Sequence, residues 1–153
     1  MSAEENIKQQ LISRFSFLDG KINITRQRRL FLDATEESFS QVFGYAVGQL
    51  GFSILCAITG LDEYQAFAVV YHLAQESGVM LNIKVHLSKE RPVIKTITST
   101  FSVADVYERE LIDLFGIQVE GLQKGPRYPL PDDWPTGEHP LRKDWKLEVN
   151  KNA

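Results

Sequence analysis

Five of the six prolines of this chain are concentrated near its C-terminal end, and they limit what that region can form. They are Pro126, Pro129, Pro131, Pro135 and Pro140. Proline donates no backbone hydrogen bond, and it pushes the residue before it toward extended conformations. We therefore expect residues 117–153, here called the arm, to contain no helix or strand and to follow an extended, turn-rich path. Because Trp134 and Trp145 also lie in the arm, we expect it to pack against its own domain or against a partner.

The residues before the arm show both helical and strand periodicity. Ser2 and Glu5 form a capping box, and Thr35 is a suitable helix N-cap. The predicted elements are, in order, a helix over 3–17, strands near 21–26 and 30–32, a helix from 35 to about 50, and strands over 52–59, 65–73 and 79–88. This order predicts an α+β fold of two layers, in which helices pack on one face of a mainly antiparallel or mixed sheet.

Two of the predicted strands differ in their pattern. Residues 52–59 are apolar throughout, which predicts a central strand covered on both faces. Cys56 lies in this strand, so a buried, unreactive thiol is expected. Residues 79–88 alternate between apolar and polar side chains, which predicts a strand with one face in water.

A last predicted helix over 102–115 completes the core domain, which we place at residues 1–116. Ser102 and Asp105 resemble a second capping box, and Gly116 is expected to end the helix. The chain of 153 residues has the size of one domain. We therefore expect a single α+β domain followed by the arm at 117–153.

Glu110 is the unusual residue of this helix, because it lies on an apolar side with Val103 and Val106. A carboxylate there is costly to bury unless it is paired. The first interpretation is an ion pair with Arg127 or Arg142, the second a general acid or base with a raised pKa, and the third a helix rotated so that this side is not buried. Arg109 and Asp113 lie on the polar side at the spacing of an i, i+4 pair.

Composition excludes several classes of function. Seventeen basic against twenty acidic side chains give a net charge of −3, which argues against nucleic-acid binding. The single Cys56 excludes an intramolecular disulfide and any cysteine-based zinc or iron–sulfur site, and the three histidines have no metal-binding spacing. The acidic N-terminus is unlike a signal peptide, and the uncharged run over 38–61 contains too many glycines and polar residues for a membrane span. A cytoplasmic protein is expected.

Three blocks of sequence, taken in order, resemble a known family. They are Glu108-Arg109-Glu110-x-x-Asp113-x-Phe115-Gly116-Ile117, then Leu130-Pro131-Asp132-Asp133-Trp134, then His139-Pro140-Leu141-Arg142-Lys143-Asp144-Trp145. This pattern resembles the 30-kDa subunit family of respiratory complex I, the NADH:quinone oxidoreductase. Related subunits occur in energy-converting [NiFe] hydrogenases and in formate hydrogenlyase. The chain departs from the family pattern at Val106, where an aromatic residue is usual, and between residues 121 and 128.

The resemblance implies a non-catalytic scaffold subunit that has no cofactor of its own. Iron–sulfur clusters, flavin or a nickel–iron centre would belong to partner subunits. The expected partners are the large catalytic subunit of the peripheral arm and a neighbouring iron–sulfur subunit, in a complex on the inner face of the cell membrane. Signature residues with a structural role would be Glu108, Arg109, Glu110, Asp113 and Gly116. Partner-binding residues would be Arg127, Trp134, Pro140, Leu141, Arg142, Lys143, Asp144 and Trp145.

Three alternatives remain open on the sequence. The chain could be the equivalent subunit of a membrane-bound [NiFe] hydrogenase. It could be a self-contained hydrolase that uses Glu110, Asp113 and His139 in one pocket. It could also be a homo-oligomer whose arms swap between copies.

Overall fold

The computed structural model describes residues 1–147, so the end of the predicted arm, 148–153, lies outside the described residues. The elements are numbered here in chain order. They are α1 (Ala3–Arg14), a 3-10 turn (Ser16–Leu18), β1 (Ile22–Arg26), β2 (Arg29–Ala34), α2 (Glu36–Gly48), β3 (Ile54–Asp62), β4 (Ala66–Ala74), β5 (Met80–Ser88), β6 (Val93–Lys95), α3 (Ala104–Phe115) and β7 (Gln118–Glu120).

Five strands form one mixed sheet in the order β1-β2-β5-β4-β3. Strand β2 runs parallel to β5, and the other neighbours are antiparallel. Alternate residues of β5 belong to one hydrophobic core together with residues of α1, α2 and α3. They are Leu81, Ile83, Val85 and Leu87. The predicted α+β fold, with helices on a mixed sheet, is confirmed.

The first two helices begin where the sequence predicts. The Ser2 hydroxyl accepts a hydrogen bond from the Glu5 amide, and the Glu5 carboxylate accepts one from the Ser2 amide. Thr35 and Ser38 form the same reciprocal pattern at the start of α2. These caps satisfy backbone donors that the first helical turn leaves free.

Strand β3 is an edge strand, so the prediction of a central strand covered on both faces is wrong. Its buried and exposed residues alternate, and its register shifts between Leu55 and Ala57. Cys56 lies at this irregularity and is exposed, which contradicts the predicted burial of its thiol. Helix α3 covers one side of β3 closely, since a Cβ placed on Gly60 would lie 2.6 Å from the Phe115 ring.

Helix α3 ends as predicted but begins differently. Gly116 adopts φ +73° and caps the C-terminal end. At the other end, Val103 is the N-cap and no side chain caps the helix, so the predicted capping box at Ser102 is wrong. The helix instead continues from a backbone turn, in which the Ala104 amide donates to the Phe101 carbonyl.

The arm begins with a short strand that the sequence pattern did not predict. Strand β7 pairs in parallel with β6, and Ile117 just before it is fully buried. Three residues are too few to show a period of their own, and the pairing depends on a segment far away in sequence. Within residues 1–147, no helix is long and apolar enough to cross a membrane.

Candidate functional site: helix α3 and the arm

Helix α3 is rotated relative to the orientation that its apolar residues predicted. Val103 and Val106 are 51% and 44% exposed, and Glu110 is half-buried. The side that packs into the core carries the helix residues Ala104, Glu108, Leu111 and Phe115. Arg127 pairs with Asp113 and Arg142 pairs with Asp144, and neither forms an ion pair with Glu110, so the predicted buried ion pair is wrong. The rotated helix, the third interpretation, is the one that the structure shows.

Glu108 is the buried carboxylate of α3, and it is fully inaccessible to water. Its Oε1 accepts a hydrogen bond from the Ile97 amide at 2.8 Å, and its Oε2 accepts one from the Thr96 hydroxyl at 2.6 Å. Burial raises the pKa of Glu108, while these two hydrogen bonds act in the opposite direction. Glu108 thus fixes the segment before α3 to the helix without using an arginine.

Arg109 joins α3 to the start of the arm. The sequence predicted a pair with Asp113, but the guanidinium instead makes two hydrogen bonds to Asp105, at 2.8 and 2.9 Å. It also donates to the Gln123 carbonyl at 2.8 Å. Gly125 lies directly against it, since a Cβ at that position would be 2.6 Å from Arg109 Nη2. The hydrogen bonds from Arg109 lower the pKa of Asp105.

Asp113 holds the middle of the arm through both carboxylate oxygens. Its Oδ1 accepts from Arg127 Nε at 2.9 Å, and its Oδ2 accepts from the Leu130 amide at 3.0 Å. Arg127 also donates to the Trp134 carbonyl at 2.9 Å. Asp113 is only 6% exposed, so an arginine charge and a backbone amide compensate its burial.

His139 contacts the same end of α3. Its Nδ1 donates to the Asp113 carbonyl at 2.8 Å, and its ring lies so close to Gly116 that a Cβ there would be 2.7 Å from the ring. His139 therefore binds the backbone of Asp113, while the Asp113 carboxylate binds Arg127 and Leu130. This arrangement attaches the arm. It does not direct the residues of the hydrolase hypothesis, Glu110, Asp113 and His139, toward a common substrate atom.

A second attachment lies at Asp62, a residue that the sequence pattern did not single out. Asp62 Oδ2 accepts from the Lys143 amide at 2.8 Å, and Oδ1 forms an ion pair with Lys89 Nζ at 2.6 Å. Burial raises the pKa of Asp62, but the hydrogen bonds from Lys89 and from backbone amides outweigh it and lower the pKa overall. The Arg142 guanidinium lies 5.2 Å from the centre of the Phe67 ring.

The two tryptophans of the arm pack on each other. The Trp134 and Trp145 rings are 5.9 Å apart at 34°, and both indole N–H groups donate to Glu138, at 3.0 and 3.2 Å. Both are half-buried. Arg142 pairs with Asp144 at 3.3 Å. Tyr128 and Leu141 remain 45% and 51% exposed.

The histidines of the sheet take part in local hydrogen bonds. His72 in β4 bonds to the Thr59 hydroxyl at 2.9 Å and to Asn82 Oδ1 at 2.6 Å. His86 pairs with Glu63. In the described part of the chain, no group of three or more His, Cys, Asp or Glu side chains is arranged to hold a metal ion.

The structure is thus an α+β domain with an extended C-terminal segment attached to it. The family described as respiratory-chain NADH dehydrogenase, 30 Kd subunit, matches residues 32–151, and the chain belongs to this family.

Relatives with this similarity come from several oxidoreductases. One subunit of the F(420)H(2) dehydrogenase of Methanosarcina mazei is 31% identical over 150 residues, which cover 96% of this chain and 94% of that protein. One subunit of the NADH-quinone oxidoreductase of Moorella thermoacetica is 36% identical over 102 residues, 65% of this chain and 68% of that one. The membrane-bound hydrogenase subunit beta of Pyrococcus furiosus is 40% identical over 79 residues, 50% of this chain and 46% of that one.

Two solved structures have a similar fold. A trypsin-resistant fragment (1–134) of Nqo5 superimposes with a TM-score of 0.68 at 28% identity, over 79% of this chain and 98% of the fragment. A chain of an archaeal membrane-bound sulfane sulfur reductase superimposes with a TM-score of 0.80 over 96% of this chain and 88% of that one. The second is 24% identical, and the similarity to it is one of fold alone.

Proposed function

We propose that this chain is a non-catalytic scaffold subunit of a complex I-like oxidoreductase. In this proposal the chain packs on the large catalytic subunit and beside an iron–sulfur subunit. Both belong to the peripheral arm of the complex, which is not the arm of this chain. Flavin, iron–sulfur clusters or a nickel–iron centre belong to the other subunits, and the complex lies on the inner face of the membrane. Membership of the 30 Kd subunit family supports this role.

The observation that carries the proposal is the way the arm is attached. One side of it is bound to the domain at Arg109, Asp113 and Asp62. The other side is open, and every residue from 121 to 147 is half-buried or exposed. An arm that is already held in place loses little conformational entropy when it binds a second protein.

The open side has the composition of a binding surface. Tyr128 and Leu141 are exposed, and Trp134 and Trp145 are half-buried. Aromatic residues and arginine are enriched at the energetically important positions of interfaces. Arg142, Lys143 and Asp144, which we expected to bind the partner directly, also attach the arm to the domain or to each other. We therefore propose Tyr128 and Leu141 as further contacts to the partner.

Co-purification tests this proposal. The chain carries an affinity tag in a host that makes the whole complex, and the large subunit recovered with it is quantified. Tyr128→Asp places a charge on the open side of the arm and should reduce recovery of the large subunit at least about tenfold. Phe31→Asp is the matched control, because Phe31 is 39% exposed on β2, away from the arm. Equal recovery with both variants would contradict the proposal.

The identity of the other subunits recovered with the chain also distinguishes the two candidate complexes. The alternative is a subunit of an energy-converting [NiFe] hydrogenase, which the 40% identity to the membrane-bound hydrogenase subunit beta favours. A nickel-binding large subunit in the purified complex supports the hydrogenase. A flavoprotein that oxidises NADH supports the respiratory enzyme.

A further inference from the structure

Helix α3 has a row of side chains that its own domain covers only in part, with Leu114 packed against the core. The row consists of Val103, Val106, Glu110 and Leu114, here called the outer row. Val103 and Val106 are 51% and 44% exposed, while Glu110 and Leu114 are half-buried. The Leu114 end of the row lies beside the arm, because the Leu141 amide donates to the Leu114 carbonyl at 3.0 Å, and the Leu141 side chain is 51% exposed.

Glu110 differs from the other charged residues of α3. Asp105 and Arg109 pair with each other, Asp113 pairs with Arg127, and Glu108 accepts two hydrogen bonds. Among residues 1–147, no hydrogen bond or ion pair involves the Glu110 carboxylate. Arg109 does not neutralise it, because its guanidinium is already bound to Asp105 and Gln123. The outer row is thus an apolar surface around one uncompensated negative charge.

We propose that the outer row binds a segment of the partner subunit in which a lysine or arginine is flanked by aliphatic side chains. This inference rests on the proposed function, and it adds a second contact beside the arm. An entirely apolar segment would bury the Glu110 carboxylate without a partner, which is unfavourable. A cation in the partner compensates that charge, while its aliphatic neighbours cover Val103 and Val106.

A second copy of this chain does not fit the outer row. Packing of the row on itself around a two-fold axis brings the two Glu110 carboxylates toward each other. Like charges placed together in an interface oppose association. The charge of the row therefore favours a different protein, with complementary charge, over a homodimer.

Reversal of the charge at Glu110 tests the proposal in the whole complex. Glu110→Lys should reduce recovery of the large subunit at least about tenfold, because it sets a cation against the partner's cation. Glu110→Gln should reduce it less and should make recovery less sensitive to salt. The thermal melting of the isolated chain should stay unchanged in both, since Glu110 has no partner within the described chain. Glu76→Lys, at an exposed turn, is the control.

A photo-crosslinking amino acid at position 106 identifies the occupant. The expected adduct is a peptide of another subunit with a lysine or arginine among aliphatic residues. An adduct with an acidic peptide, an adduct with a second copy of this chain, or no adduct in the assembled complex would each overturn the proposal. Assembly that survives Glu110→Lys but fails with Tyr128→Asp overturns the outer-row contact alone. Assembly that survives both variants contradicts the scaffold proposal as well.

Discussion

Replacement of Asp113 by alanine should release the middle of the arm. The substitution removes the acceptor of Arg127 Nε at 2.9 Å and that of the Leu130 amide at 3.0 Å. Breaking a buried charge pair costs about 3–5 kcal/mol, but the Arg127 side chain is 24% exposed and regains part of its hydration. We therefore expect the arm to be held less tightly by about 2–3 kcal/mol.

Hydrogen exchange of single backbone amides measures this release. The Trp134 amide lies in the segment that Asp113 holds, whereas the Lys143 amide is bonded to Asp62. In Asp113→Ala, the protection of the Trp134 amide against exchange should fall about 30- to 150-fold. If the amide of the unsubstituted chain is protected by less than this factor, its exchange should reach the rate of an unstructured peptide. Protection of Lys143 should change less, because its acceptor is intact.

Asp105→Ala is the graded control for this experiment. Asp105 forms an i, i+4 pair with Arg109, and its side chain is 42% exposed, so its loss should cost only about 0.3–0.5 kcal/mol. If Asp113→Ala changes the protection of Trp134 by less than about twofold, or no more than Asp105→Ala does, then Asp113 does not hold the arm and the reasoning is refuted.

Three further predictions concern single residues of the core domain. Burial raises the pKa of Glu108 in the folded state. The free energy of unfolding should therefore fall as the pH rises from the ordinary pKa of glutamate through the raised pKa of Glu108. Urea titrations of Glu108→Gln should not show this fall. Gly116→Ala should destabilise the chain by at least about 1 kcal/mol in thermal melts, because φ is +73° and the added Cβ would meet His139 at 2.7 Å. The Cys56 thiol is exposed, so in the native chain it should react with a thiol reagent within about tenfold of its rate in denaturant; a rate lower by several orders of magnitude would mean that it is buried.

Local sequence signals predicted much of the fold correctly. The caps at Ser2 and Thr35 depend on residues three positions apart, and the helix end at Gly116 depends on one residue that tolerates positive φ. Such short-range interactions are visible in the sequence itself. The alternation along β5 likewise predicted its buried side, Leu81 to Leu87.

The wrong predictions for Glu110 and β3 depend on partners far away in sequence, whereas the capping box at Ser102 failed over three residues. Glu110 was expected to be buried because apolar residues share its side of the helix. The structure buries Glu108 instead, because Thr96 and the Ile97 amide meet it there. Strand β5 pairs in parallel with β2, and β3 is left at the edge of the sheet. The apolar run in the sequence of β3 does not reveal this pairing.

The attachment of the arm could be predicted only in part. The family pattern brought attention to Asp113, Arg127 and Arg142, and all three take part in holding the arm. Asp62 was missed, because its bond to the Lys143 amide joins residues 81 positions apart. No local pattern in the sequence marks such a pair.

The most direct test of the scaffold proposal compares hydrogen exchange of this chain alone and in its complex. If the arm binds the large subunit, the largest gain of protection should fall in residues 121–147 and at the outer row of α3, with little change at the β1–β2 edge of the sheet. Equal exchange of the arm in both states, or a gain confined to β1 and β2, would contradict the claim that the arm binds the large subunit.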